Sequence, residues 1–455
     1  MATAPSTPAI PENDQAKKAR RAGIAAFIGT TIEWYDFYIY GTASALVFGK
    51  LFFPDSLPDG VGTLLSFVTL WAGFISRPLG GIIFGHFGDK YGRKATLIVT
   101  LMIMGISSTV VGLLPGYAQI GILAPILLTC LRVIQGVAVG GEWGGAVLIA
   151  SENAPKGKGI LYSAFAQQGS PAGNLLSSAV FFFLAFLPTP QFVMMGWRYA
   201  FLASVVLVIV GLVIRLKLEE SETMQAVKEQ DDTVKIPLFE VIRKHWVLVL
   251  LGAGAMPLVQ VTYLKTTFAT SWATSSAHSW AFDKSTFLGV VTLGLIVQFM
   301  VQPFGAVIVS RVKDMRKAIF WMVVPEFILM PLMFFAIETG KFGLALLGMC
   351  LATIPHSLFY AAIGGIVARA FPTRVRYSAI SLSYQLCSMT IGGGTPAIAQ
   401  WLFTSTGSIV PVAVLSAVYA LVSLICTIIL LRLTGWNAAE SSKAELADEA
   451  ELQAS

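Results

Sequence analysis

Twelve stretches of this chain are each apolar over about 20 residues or more, the length a helix needs to cross a bilayer, and only short polar segments separate them. In hydrocarbon every backbone N–H and C=O must be satisfied within the spanning element, which restricts such a chain to helices or a closed barrel. Barrel strands alternate apolar and polar residues, and runs such as Val205-Val206-Leu207-Val208-Ile209-Val210 do not. The stretches lie at roughly 23–48, 61–84, 95–115, 120–150, 160–187, 197–216, 246–271, 284–309, 318–338, 342–367, 378–403 and 409–433. Only 12% of the 455 residues are charged, about half the share of a soluble domain. The expected fold is an all-α polytopic membrane protein with twelve transmembrane helices.

Lysines and arginines set the expected orientation. Lys17, Lys18, Arg20 and Arg21 precede the first span, and Lys90, Arg93 and Lys94 follow the second. The same side receives Lys156 and Lys158, the stretch from Arg215 to Lys244, the group Arg311, Lys313, Arg316 and Lys317, and then Arg369, Arg374 and Arg376. Lys50, Lys284 and Lys341 fall on the other side. Both termini are thus expected in the cytoplasm, with the chain in the cell (inner or plasma) membrane. The net charge of +6 reflects this topology and gives no reason to expect a nucleic-acid partner. The polar, proline-containing N-terminus does not read as a cleavable signal peptide. Cys130, Cys350, Cys387 and Cys426 all fall in apolar segments and read as small buried residues, not as a disulfide or metal site.

The polar stretch 217–245 divides the chain into a six-helix unit at 23–216 and another at 246–435, flanked by tails at 1–22 and 436–455. A duplication runs across it. Arg77-Pro78-Leu79-Gly80-Gly81-Ile82-Ile83, followed by Asp89, lines up at constant offset with Gln302-Pro303-Phe304-Gly305-Ala306-Val307-Ile308, followed by Asp314. Pro155, Tyr162, Ser163 and Ala164 echo Pro372, Tyr377, Ser378 and Ala379. Two matches in the same order point to two parallel six-helix pseudo-repeats, with a binding site between them near the midplane, opened alternately to each side.

Ionisable side chains at membrane depth are costly and mark functional sites. Glu33 and Asp36 lie three residues apart on one face of the first span, and Tyr40 continues that face. Arg132 sits near the middle of the fourth span, with Gln135 on its face; a buried guanidinium has to find a carboxylate or an anionic ligand. Gly136, Gly140 and Gly144 repeat every four residues and allow close helix contact. Glu142 lies nearer the cytoplasm. The segment Gly85-His86-Phe87-Gly88-Asp89-Lys90-Tyr91-Gly92-Arg93-Lys94 reads as a tight turn between spans, with Asp89 placed to accept from free N–H groups at a helix start.

This turn resembles the signature of the major facilitator superfamily, a Gly-x-x-x-Asp-Arg/Lys-x-Gly-Arg-Arg/Lys pattern. The resemblance narrows when other segments are added: Glu33-Trp34-Tyr35-Asp36-Phe37, Arg77-Pro78-Leu79-Gly80-Gly81, Arg132-x-x-Gln135-Gly136 through Gly140-Gly141-Glu142, Glu152-x-x-Pro155, Gln168-x-Ser170-x-x-Gly173 and Phe371-Pro372-Thr373-x-x-Arg376-Tyr377-Ser378. Together they resemble the metabolite:proton symporter family of that superfamily, over roughly 20–435. Its members carry shikimate, 2-oxoglutarate, citrate, and proline or betaine. The resemblance implies alternating access, proton coupling without any other cofactor, and a cytoplasmic gate built from Asp89 and Arg93, which Glu142 and Arg376 are expected to join. Two departures stand out. Lys158 replaces the arginine expected after Pro155, and the second-half loop Ser310-Arg311-Val312-Lys313-Asp314-Met315-Arg316-Lys317 has lost the glycines of a second copy.

Further candidates lie in the second half. Lys265 is either a substrate cation site or a snorkelling surface lysine. His356, after Pro355, is either a proton relay or a packing histidine. Tyr384 and Gln385, with Gln167 and Gln168 from the fifth span, read as polar groups lining a cavity. The chain has no metal-binding histidine spacing, thiol pair or nucleotide-binding loop, so an enzyme and an ATP-driven pump are not expected, and a duplicated chain with a central charged site favours a carrier over a channel. The expected function is proton-coupled uptake of a small polar metabolite, such as shikimate or a related carboxylate, by a monomer in the lipid bilayer. Glu33 or Asp36 would carry the proton, and Arg132 would hold the substrate carboxylate or pair with one of the acids in the empty carrier. The alternatives are a zwitterionic osmolyte, a dicarboxylate, or export on the same fold.

Overall fold

The computed structural model describes residues 12–91, 93–140, 159–217, 241, 243–312, 314–372 and 375–434. Its helical segments group into twelve spans. In the first half, α1 comprises Glu12–Ala43, Ser44–Phe48 and Gly49–Leu51; α2, Val61–Ile75 and Arg77–Tyr91; α3, Arg93–Leu113; α4, Leu123–Val139; α5, Gly159–Leu184; and α6, Thr189–Gln191, Phe192–Gly196 and Trp197–Lys217. In the second half, α7 comprises Trp246–Gly254, Pro257–Tyr263, Leu264–Phe268 and Ala269–Ala273; α8, Lys284–Arg311; α9, Met315–Val323 and Glu326–Glu338; α10, Phe342–Arg369; α11, Arg376–Cys387, Ser388–Gly392 and Thr395–Thr406; and α12, Val410–Leu433.

Two boundaries differ from the sequence expectation. The first helix begins at Glu12, so part of the expected tail is helical, and α2 runs through Asp89 to Tyr91, where a tight turn was expected. In both places the apolar run ends before the helix does, because water at the interface can satisfy the outer turns.

Among the described residues, seven single helices are long and apolar enough to cross a bilayer, and α7, bent by 40° at its break, makes an eighth. The other four are α1, α4, α5 and α11. Three of these are interrupted by polar side chains, and α4 is described for only 17 residues. Their polarity is explained by where they sit. α1 packs along α5, and α7 along α11; α2 pairs with α4, and α8 with α10; α3 pairs with α6, and α9 with α12. Each pairing recurs six spans later, which is the packing expected of a duplicated chain. The halves meet where α5 lies on α8 and α2 on α11. The first span of each half also carries a π-helical turn, at Ser44–Phe48 and at Leu264–Phe268.

The glycine spacing of α4 does what its pattern suggests. A Cβ on Gly136 would overlap the carbonyl oxygen of Gly73, and one on Gly140 would overlap that of Arg77. Gly80 of α2 approaches the carbonyl of Val137 in the same way. The two backbones are thus in direct contact. Gly144 lies outside the described residues.

Candidate transport site

The acids, the arginine and their neighbours form one buried cluster. Glu33 and Asp36 of α1 are 3% and 1% exposed, and Arg132 of α4 is fully buried. Asp36 Oδ1 accepts from the hydroxyl of Ser204 on α6 at 2.6 Å, and the hydroxyl of Ser108 on α3 is its second side-chain partner. Arg132 and Asp36 are electrostatic neighbours without a direct hydrogen bond. Arg132 instead donates from Nη1 to Gln135 Oε1 at 2.9 Å, and Gln135 Nε2 donates to Ser108 of α3 at 2.7 Å. Its guanidinium carbon lies 4.0 Å from the ring centre of Phe37 and 4.4 Å from that of Tyr40. Tyr40 in turn shares a 2.7 Å hydrogen bond with Thr69 of α2. Arg132 Nε and Nη2 have no acceptor in the protein.

Sequence reasoning missed a second arginine here. Arg77 is 1% exposed; its guanidinium lies 4.1 Å from the Phe37 ring centre and 4.3 Å from that of Phe74. Its Nε and Nη2 have no acceptor either. Phe37 therefore has a guanidinium against it from α2 and another from α4. In the sequence Arg77 stands out only within the Arg77-Pro78-Leu79-Gly80-Gly81 motif; the packing of α2 against α4 buries it.

The other half supplies aromatic rings. Tyr263 of α7 stacks on Tyr38 with centroids 5.2 Å apart and meets Phe74 edge-on at 5.4 Å. Tyr384 of α11 is buried, with Arg77 and Glu33 among its electrostatic neighbours. Tyr360 of α10, also unforeseen, neighbours Tyr38, Tyr384 and Glu33. The site thus contains two cations, two acids and a set of tyrosines, all sealed from solvent.

The remaining candidates lie elsewhere. Gln168 and Gln385, expected to line a cavity, each tie the two halves together. Gln168 Nε2 donates to the carbonyl of Phe299 on α8 at 2.6 Å, and Gln385 Nε2 donates to that of Gly140 on α4 at 2.7 Å. An amide in an interface between helices finds its partner in the opposing backbone, which sequence cannot display. Trp71 Nε1 donates to Met389 O at 2.6 Å and Gln302 Nε2 to Gln167 O at 3.1 Å, two further ties between halves. Lys265 and His356 face each other's spans within the second half: Lys265 Nζ donates to Thr353 of α10 at 3.1 Å, and His356 Nε2 lies 3.0 Å from Thr262 Oγ1. Of the gate candidates, Arg376 Nε donates to Phe371 O at 3.2 Å. Glu142 and the side chains of Asp89 and Arg93 lie outside the described residues. Asp314, the repeat counterpart of Asp89, accepts from the backbone N–H groups of Arg316 and Lys317 at 3.1 and 3.3 Å and so caps α9.

Paired six-helix halves meeting over a buried, charged midplane cluster define a multi-pass membrane transporter of the major facilitator type. The profile of the sugar (and other) transporter family matches residues 22–246. An inner membrane metabolite transport protein of Escherichia coli is 38% identical over 84% of this chain and 88% of its own length. The shikimate transporter of the same organism is 37% identical over 85% of this chain and 88% of its own. The proline/betaine transporter of Salmonella typhimurium is 32% identical over 90% and 82%. Among solved structures, the xylose transporter of E. coli in a partially occluded inward-open conformation superposes with a TM-score of 0.71 at 16% identity, covering 91% of this chain and 98% of that one. The chain belongs to the metabolite-transporter branch of the major facilitator superfamily, a family of transporters and not of enzymes.

Proposed function

We propose that this protein is a secondary carrier that takes up a small carboxylate-bearing metabolite together with a proton, drawing on the proton gradient and no cofactor. It would act as a single chain, in a bilayer with both termini cytoplasmic. The observation that carries the reading is the pair of buried guanidinia, Arg77 and Arg132, each with two N–H-bearing nitrogens that find no acceptor in the protein. A carboxylate is the ligand whose geometry and charge suit them. The ring faces of Tyr38 and Tyr263 suit a cyclic substrate, and the relative named a shikimate transporter agrees in class.

Asp36 is the favoured proton carrier. Hydroxyls are its only hydrogen-bonding partners and Arg132 its only neighbouring cation, so the carboxyl can be held as the anion when Arg132 balances it, or as the acid when Arg132 is drawn to substrate. Proton and substrate then favour the same state, the requirement for coupling. Glu33, on the same face, is the second candidate.

The test is uptake into proteoliposomes of a panel containing shikimate, 2-oxoglutarate, citrate, proline, betaine and a benzoate, with and without an inward proton gradient. Accumulation of shikimate or another monocarboxylate that collapses with a protonophore supports the proposal. Accumulation of betaine or proline alone moves the assignment to zwitterions held by the same rings. Uptake indifferent to the gradient removes Asp36 and Glu33 from coupling. Loss of preloaded compound as protons enter indicates export.

A further inference from the structure

The second half contains a buried ionisable group that the central site does not use. Glu326 begins the second segment of α9 and is fully buried; no side chain donates to either carboxylate oxygen, and its one neighbouring donor is the backbone N–H of His356 on α10. The cation that acts on it is Lys265 of α7, itself 1% exposed, whose ammonium donates to Thr353 and not to the carboxylate. Two opposite charges in a dry interior ordinarily close into a hydrogen-bonded pair, because a separated pair leaves each with its full desolvation cost. An unsupported carboxyl is far less costly as the neutral acid.

The surroundings are otherwise short of charge. From α10, Cys350 and His356 are the titratable groups that sense Lys265, and His356 is held by Thr262. From α12, also packed on α9, Tyr419 accepts from Thr395 and Cys426 lies against Gly254. Among the described residues no second carboxylate shares the pocket of Glu326.

The position of Lys265 links this pocket to the transport site. It lies in the π-helical turn Leu264–Phe268, directly after Tyr263, which stacks on Tyr38 of the first half. Thr262 and Lys265 face α10 while Tyr263 faces the opposite half. A change of charge at Glu326 that drew Lys265 from Thr353 would therefore move the turn that presents Tyr263.

We propose that Glu326, with Lys265 as its switchable counter-ion, is a second proton-binding site of this carrier, built within the second half and separate from Asp36. With the proton bound, Lys265 stays on Thr353, as seen here. When the proton leaves, the ammonium swings to the carboxylate and α7 shifts against α10. The site takes H⁺ and no other ligand, and it does not depend on the identity of the transported compound.

The test needs no substrate. Infrared difference spectra of the purified protein, recorded as pH is stepped, report the C=O stretch of protonated carboxyls. The expected result is a titrating band that is lost in Glu326→Gln, retained in Asp36→Asn, and displaced to higher pH in Lys265→Met by about one pH unit, tenfold in proton affinity, because the balancing cation is gone. If Glu326→Gln fails to fold, the displacement in Lys265→Met decides alone. Spectra of Glu326→Gln that match the wild type, or a Lys265→Met titration that does not move, would overturn the proposal. Because no transport is measured, a negative result here is distinct from failure of the substrate panel.

Discussion

Tyr38 of α1 stacks on Tyr263 of α7 across the boundary between the halves, with ring centroids 5.2 Å apart and planes 30° from parallel. These rings come from opposite halves, so an opening that parts α1 from α7 would break the stack. An aromatic pair contributes about 0.5–1.5 kcal/mol beyond the area it buries. Tyr38→Ala is expected to raise the open population by roughly tenfold at the upper end of that range. The measurement is the alkylation rate of a single cysteine at Ser108, in a background free of the four native cysteines. An unchanged rate would mean that the stack does not hold the site shut.

Arg132→Lys keeps the charge but loses the planar contact with Phe37 and Tyr40 and one fork of the carboxylate site. The apparent affinity for the transported acid should fall at least tenfold, about 1.4 kcal/mol, with protein abundance unchanged. KM and maximal rate measured in proteoliposomes separate this from a folding defect. A lysine variant with wild-type KM would place the carboxylate elsewhere.

Ser204 donates to Asp36 and so favours its anion. Ser204→Ala removes that support, and the carboxyl should keep its proton to higher pH, because a hydrogen bond to the charged form always favours deprotonation. The alkaline limb of gradient-driven uptake is expected to move upward by about one pH unit, the equivalent of one lost hydrogen bond to a charged group. Asp36→Asn should abolish accumulation yet permit substrate exchange, since an amide imitates the protonated acid. Counterflow and net uptake measured side by side distinguish the two.

Gly136→Ala and Gly140→Ala are predicted to be strongly destabilising, since each new Cβ meets a backbone carbonyl that has no rotamer to move aside. The cost should reach or exceed the ~1–3 kcal/mol of ordinary overpacking. Gly343, whose Cβ would meet nothing within 4 Å, is the control and should tolerate alanine. Melting temperatures of the detergent-solubilised variants provide the comparison.

Much of this arrangement is legible in the chain. Span length and basic loops are written in composition, and Glu33, Asp36, Arg132 and the α4 glycines stand out because polarity and small size are costly at midplane. Arg77 was quoted in a motif but not placed, because its depth depends on the packing of α2 against α4, which no local pattern announces. Glu326 escaped notice although it falls inside the 318–338 stretch; its lack of a side-chain donor shows only in the packing of α9 against α10. Gln168 and Gln385 were singled out, but their backbone partners in the opposite half were not legible, since a polar side chain in a span shows that it needs a partner without showing which one.

The spans that are too polar to qualify as membrane helices on their own also bear on how the protein inserts. An aspartate or arginine at the centre of a lone helix costs about 2.5–3.5 kcal/mol to insert, and α1 brings two acids. Lipid alone does not stabilise such a helix; α5 along its flank and the arginine of α4 do. Stable placement of α1 therefore depends on segments that follow it in the chain, α4 and α5.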